Sequence, residues 1–292
     1  MADIGFIGLG IMGRPMAGHL QAAGHRLFIR TRSAAPETLL AAGATLCSSP
    51  REVAAQSSII FLMLPDTPDV EAVLFGPEGV AHAGAGRTVV DMSSIAPLAT
   101  KQFAQRLHER GIEFLDAPVS GGELGAKAAT LSIMVGGPAA SFARVKPYFE
   151  LLGRNITHVG GHGDGQTAKV ANQMIVALTL AAVSEALVFA SKAGADPAKV
   201  RQALLGGFAG SRVLEVHGER MLKRTFDPGF RMALHHKDLG LAVAAAHALQ
   251  VALPHTSVCH DLFNAALAAG EGGLDHSGLV RTLERLANHT IG

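Results

Sequence analysis

The chain opens with a short apolar run, Ile4-Gly5-Phe6-Ile7, that meets three glycines at fixed spacing in Gly8-Leu9-Gly10-Ile11-Met12-Gly13. Few folds are open to a strand that ends in such a loop. The first glycine permits a tight turn, the second lets bare backbone approach a pyrophosphate, and the third seats the next helix against the strand. Glycine makes up 34 of 292 residues, so the spacing counts only in context. Met12, Met16 and Leu20 recur at helical spacing, and a second apolar strand, Arg26–Arg30, follows at the distance of a strand-helix-strand unit. The pattern predicts a dinucleotide site whose diphosphate rests on a helix N-terminus, where unpaired N–H groups and the helix dipole favour an anion.

Further apolar runs follow at Ser58–Leu64, Thr88–Met92, Glu113–Ala117 and Leu131–Val135, the last expected to close the series. Helical segments at Glu37–Ala41 and Leu98–Arg110 lie between them. Strands alternating with helices predict an α/β fold with a mainly parallel, Rossmann-type doubly wound sheet. The character changes near Gly163, after a glycine-rich stretch, Gly160–Gly165, that reads as a hinge. Gln166–Ala193 then runs 28 residues without proline or glycine, a helix of about 40 Å and long enough to join two domains. The expected division is residues 1–162 for the cofactor and an all-α domain, 163–292, for substrate and oligomerisation. Met174–Val183 is apolar all round, which predicts burial on more than one side, against a second copy in a homodimer or homotetramer.

Net charge is only +1 and no cluster of lysine or arginine exceeds two, which argues against a nucleic-acid surface and for a small-molecule substrate. Cys47 and Cys259, the only cysteines, lie too far apart in sequence to suggest a zinc site, and a disulfide framework needs more. With no leader and no uninterrupted apolar span, the expectation is a cytoplasmic protein without a membrane segment.

In open parallel sheets ligands bind outside the carboxyl ends of the strands. Those ends here are Gly8–Gly13, Arg30-Thr31-Arg32-Ser33, Leu64-Pro65 and Ser93-Ser94. The second lacks the acid that would accept a ribose hydroxyl and offers two guanidinium groups suited to a phosphate, so NADP(H) is preferred and NAD(H) possible. The alternative is that both arginines are merely solvated. Ser120-Gly121-Gly122 reads either as a nest of N–H groups for a substrate carboxylate or as a plain turn. Lys169, Asn172 and Gln173 fall on one helical face. A lysine partly desolvated there can exchange a proton near neutrality; otherwise it is a solvated residue of the first turns. Of the 14 histidines only His235 and His236 are adjacent, their side chains diverge, and no metal site is expected.

Four motifs in order, Gly8-Leu9-Gly10-Ile11-Met12-Gly13-Arg14-Pro15-Met16-Ala17, Asp116–Gly122, Gly165–Gln173 and Lys237-Asp238, make the chain resemble the β-hydroxyacid dehydrogenases, which include 3-hydroxyisobutyrate and 6-phosphogluconate dehydrogenases. The resemblance implies that Lys169 protonates the carbonyl oxygen as hydride arrives, and that Ser120, Gly121, Gly122 and Asn172 position the substrate. It implies that Lys237 reaches nicotinamide and carboxylate, and that Leu64, Pro65 and Ser94 line the cofactor with Gly8, Leu9, Gly10, Ile11, Met12, Gly13, Thr31 and Arg32. Asp91–Ile95, Gly121–Glu123, Leu131–Gly137, Pro228–Phe230 and His235–Asp238 resemble most closely the members that reduce a three-carbon semialdehyde acid, 2-hydroxy-3-oxopropanoate, to D-glycerate. Rival readings are a dehydrogenase of 3-hydroxyisobutyrate, succinic semialdehyde or glyoxylate, and a non-catalytic or imine reductase-like protein on the same fold. His19, Thr31 and Ala129 depart from the family pattern, the last where glycine is usual.

Overall fold

The computed structural model describes residues 1–291, and the chain divides into two compact units, Met1–Lys169 and Val170–Gly292. The first runs β1 (Asp3–Ile7), α1 (Gly13–Ala22), β2 (Arg26–Arg30), α2 (Glu37–Ala41), β3 (Thr45–Leu46), α3 (Pro50–Gln56), β4 (Ile59–Leu62), α4 (Thr67–Phe75), β5 (Thr88–Asp91), α5 (Pro97–His108) and β6 (Glu113–Asp116). It continues with β7 (Val119–Ser120), α6 (Gly122–Lys127), β8 (Leu131–Gly136), α7 (Ala139–Phe149) and β9 (Gly153–Gly160). Helix α8 (Asp164–Lys192) begins in this unit and runs on into the second, which adds α9 (Pro197–Leu205), α10 (Arg212–Lys223), α11 (Met232–Leu249), α12 (Pro254–Ala268) and α13 (Val280–Ala287).

The sheet order is β3-β2-β1-β4-β5-β6-β8-β7, with β9 paired to β8. The six strands from β3 to β6 are parallel, so their carboxyl ends share one edge. Successive side chains point to opposite faces, and both faces are apolar because helices cover both. On one, Phe6, Ile29, Phe61 and Val90 pack with Met16 and Leu20 of α1 and Val145 and Phe149 of α7. On the other, Ile7, Ile60, Leu62 and Val89 pack with Val70 and Leu74 of α4 and Phe103 and Leu107 of α5. Each such buried side chain contributes about 1.5–3 kcal/mol. Ser49 and Asp66 cap α3 and α4, each followed by proline in the first turn.

The structure departs from the expectation in two places, the end of the strand series and the glycine-rich stretch. Leu131–Val135 does not close the sheet, because the eight-residue β9 follows; its alternating exposure hides it from a search for apolar runs. The sheet is mainly parallel, as the pattern of strands and helices implied, and within it β8 runs antiparallel to β6 and β7. Gly160–Gly165 is no open hinge: Gly160 ends β9, and Gly165 lies inside α8 against the Asp116 backbone, where no Cβ would fit.

The second unit is helical around one core, in which Ala177, Leu180, Val183 and Leu187 of α8 meet Leu214, Met221, Met232 and Phe263. Helix α8 has the length and hydropathy of a membrane span, and 44% of its most apolar window is buried inside the protein. Ile175 and Phe189 of the same helix are exposed.

Candidate active site

The glycine loop is shaped by its neighbours in two places and open in a third. Gly8 sits at φ +99° and donates its N–H to the Arg30 carbonyl at 3.0 Å. A Cβ there would overlap the Met63 carbonyl, and one at Gly13 would overlap the Gly8 carbonyl. Gly10 differs, because nothing among the described residues lies within 4 Å of the place its Cβ would take. Its lack of a side chain leaves room beside α1, whose first turn has neither a capping side chain nor an acid. That cradle fits a diphosphate, which needs bare backbone and an unneutralised helix N-terminus. Leu9 turns into the core, and Ile11 is exposed on the loop.

At the end of β2, Thr31 is buried and its hydroxyl pairs with Ser33 Oγ at 3.1 Å. Arg30 folds back onto the Thr31 carbonyl at 3.0 Å. Arg32 is exposed and pairs with Asp69 Oδ1 at 2.8 Å. A phosphate on the adenosine ribose would have to share this guanidinium with Asp69.

The ends of β4, β5 and β6 are tied to the start of α8. Ser93 Oγ accepts the Leu64 N–H at 2.9 Å, and the Ser93 N–H donates to Asp91 Oδ1 at 3.0 Å. Gln166, fully buried, donates to the Ser93 carbonyl at 2.7 Å and accepts the Ile95 N–H at 3.1 Å, bracketing Ser94. Asp116 accepts N–H groups from Gly163 at 2.8 Å and Gln166 at 2.9 Å. Burial pushes its carboxyl above the usual range, and these N–H groups oppose the rise. The pinned turn carries Lys169, only 7% exposed and one helical step beyond Gln166. Sequence reading passed over Gln166 and gave Asp116 no function of its own. The available signal was a glutamine three residues before the lysine, on the same helical face.

Val119 and Ser120 pair with Ile133 and Ser132, so Ser120 belongs to a strand and not to a plain loop. Gly121 at φ +131° and Gly122 at φ +60° then turn the chain into α6. An L side chain would be strained at either position. His19 holds this segment to α1, its ring nitrogen lying 3.0 Å from the Ala126 carbonyl and 3.1 Å from that of Lys127.

In the second unit, Asn172 donates to Gln173 Oε1 at 2.8 Å, and Gln173 donates to Asp238 Oδ2 at 2.6 Å. Asp238 Oδ1 lies 2.9 Å from Lys237 Nζ. The structure thus joins Asn172 to Lys237 through Gln173 and Asp238. It also brings His217 beside His276 and Asp275, a meeting of residues up to 59 apart that spacing could not show. His235 joins His276, while His236 turns away to stack on His260, so the adjacent pair does diverge.

Two family profiles cover nearly the whole chain: the NAD binding domain of 6-phosphogluconate dehydrogenase over residues 3–160, and the NAD-binding domain of NADP-dependent 3-hydroxyisobutyrate dehydrogenase over 163–283. The chain is 62% identical over 289 residues to 2-hydroxy-3-oxopropionate reductase of Escherichia coli K12, covering 99% of each. It is 39% identical to 2-(hydroxymethyl)glutarate dehydrogenase of Eubacterium barkeri, covering 99% of this chain and 97% of that one. Among solved structures, 3-hydroxyisobutyrate dehydrogenase of Mycobacterium tuberculosis with L-serine superposes with a TM-score of 0.89 at 34% identity, covering 97% of this chain and 99% of that one. The chain belongs to the 3-hydroxyisobutyrate dehydrogenase-like family of β-hydroxyacid dehydrogenases.

Proposed function

We propose that the protein reduces 2-hydroxy-3-oxopropanoate reversibly to D-glycerate, with NADPH preferred over NADH. The observation that carries the substrate is the end-to-end 62% identity with a reductase of that compound. A nicotinamide dinucleotide, when bound, supplies the hydride. Lys169 supplies the proton: its buried ammonium gives one to the carbonyl oxygen as the carbon is reduced, and takes it back in the oxidative direction, so oxidation gains as pH rises. Ser120, Gly121, Gly122 and Asn172 position the substrate, and Lys237 pairs with its carboxylate and borders the nicotinamide.

Gly8, Leu9, Gly10, Ile11, Met12 and Gly13 hold the diphosphate, Leu64, Pro65 and Ser94 line the cofactor, and Thr31 and Arg32 take the ribose phosphate. The absence of an acid from Arg30 to Ser33 supports the phosphate-bearing cofactor. Residues 1–162 then form the cofactor module and 163–292 the substrate and assembly module. The exposed Ile175 and Phe189 of α8 support a homodimer or homotetramer, which gel filtration with light scattering tests, in the cytoplasm.

Steady-state kinetics with 2-hydroxy-3-oxopropanoate against succinic semialdehyde, glyoxylate and the reverse oxidation of 3-hydroxyisobutyrate, each with both cofactors, decides the assignment. The first compound should give the highest kcat/KM. A higher value for any other moves the enzyme to a different branch, and no turnover with any of them favours a non-catalytic or imine reductase-like protein.

A further inference from the structure

Three histidines of the second unit form a continuous line. His235 Nε2 lies 3.0 Å from the Gln173 carbonyl, and His235 Nδ1 lies 2.8 Å from His276 Nδ1. His276 Nε2 lies 3.2 Å from His217 Nε2, and His217 Nδ1 faces Asp275 Oδ1 at 3.6 Å. The line starts on a carbonyl and ends on a carboxylate, and both groups can only accept. The first contact requires a proton on His235 Nε2, so Nδ1 of a neutral ring accepts from His276 Nδ1, whose Nε2 in turn accepts from His217 Nε2. Three neutral rings supply those three protons. They leave a lone pair on His217 Nδ1 directed at Asp275, a nitrogen with no hydrogen-bond partner among the described residues. A fourth proton turns that repulsion into an ion pair.

We infer that His235, His276 and His217 form a singly charged imidazole chain of fixed polarity that positions Gln173, and through it Asp238 and Lys237. The charge resides on His217, the most exposed of the three and the one beside Asp275. His235 and His276 are buried, with Phe230 edge-on to both and Phe263 against His235. A second proton is excluded there, because burial and then the neighbouring charges hold His276 well below the usual imidazole range. The charged groups facing the chain are Asp275, and Arg220 at 3.4 Å from Asp275. Asp275 does not act as a metal ligand: its oxygens already accept from Ser277 N–H and Oγ, from the Gly229 and Phe230 N–H groups and from Arg220. The carbonyl terminus also rules out proton conduction, since a proton arriving there has no acceptor beyond it. What the line fixes is the Gln173 turn of α8, whose side chain holds Asp238 beside Lys237. These are positioning residues, and their effect on catalysis rests on Lys237 meeting the substrate carboxylate as proposed above.

The test is nitrogen-15 NMR of the full-length enzyme with labelled histidine near pH 7.5. His235 should be protonated at Nε2 alone, His276 at Nδ1 alone, and His217 at both. A neutral His217, His276 protonated at Nε2, or a stoichiometric divalent metal in the purified protein would overturn the chain. His217→Ala should raise the substrate KM about three- to tenfold, what one hydrogen bond is worth, with kcat changed less than about twofold and the KM restored by added imidazole. An unmoved KM in that variant overturns the positioning role. Lys237→Ala is the control: if it too leaves KM unchanged, the substrate-site reading fails, while the tautomer pattern is still decided by the spectra.

Discussion

The Asp116 carboxylate accepts the backbone N–H of Gln166 at 2.9 Å, closing the end of β6 onto the first turn of the helix that carries Lys169. A buried acid there satisfies two N–H groups that a helix start leaves without partners. Asp116→Ala should destabilise the protein by about 2–3 kcal/mol, because those N–H groups stay buried and unmet. Calorimetry should show the first unit melting about 5–10 °C lower. An unchanged transition would mean that water replaces the carboxylate without cost.

Lys169→Ala should lower kcat by roughly 10²- to 10⁴-fold, the range for one acid-base group, with cofactor affinity little changed. Stopped-flow hydride transfer and fluorescence titration with NADPH separate the two quantities. Full activity in the variant removes Lys169 from the mechanism.

A phosphate on the adenosine ribose would compete with Asp69 for the Arg32 guanidinium. Arg32→Asp should raise the KM for NADPH by roughly 10- to 100-fold relative to NADH, the loss of a charge-assisted contact. Asp69→Asn should lower it by releasing the arginine. An unmoved cofactor ratio in both variants would show the arginine to be merely solvated.

The strand-loop-helix entry and the positions of the parallel strands along the chain were legible because their apolar runs are continuous, as in Ile59–Leu62 and Thr88–Asp91. Strand β9 was not, since beyond Gly153 its residues are half-buried or exposed and resemble a loop in composition. The surroundings of Lys169 were half legible: the lysine stood out on its helix, whereas Asp116 and Gln166 act across 47 to 73 residues of sequence. The three-histidine line lay beyond reach for the same reason, since no local periodicity couples His217 to His276.

Ala129 follows the last turn of α6 at φ +53°, a left-handed conformation that costs an alanine roughly 1 kcal/mol. Ala129→Gly should therefore stabilise the protein by about 0.5–1 kcal/mol, with kinetics unchanged. A lower melting temperature in the variant would show that the added chain entropy of glycine outweighs the relieved strain.

Stability should fall as pH drops below about 6.5. Burial foremost keeps His276 neutral in the folded chain, so the unfolded chain binds more protons, and the contribution is complete above pH 6.5 and lost below it. His25, His162 and His260, also lowered by burial first, add slope of the same sign. Burial pushes the Asp275 carboxyl up, but the neighbouring histidines, Ser277 and the Phe230 N–H outweigh it and hold it below the usual carboxylate range, so its contribution goes only below about pH 4. Urea midpoints from pH 8 to pH 5 measure this, and a flat profile would mean that His276 takes up its proton without penalty.

Helix α8 keeps one uninterrupted register from Asp164 to Lys192. Each residue advances a helix by 1.5 Å and turns it by about 100°. Inserting or deleting a single residue between Lys169 and Asn172 would rotate Asn172 by about 100° relative to Lys169, and no loop lies between them to absorb the error. Length at this point is therefore as constrained as residue identity, and a one-residue change of reading here should cost more activity than most substitutions.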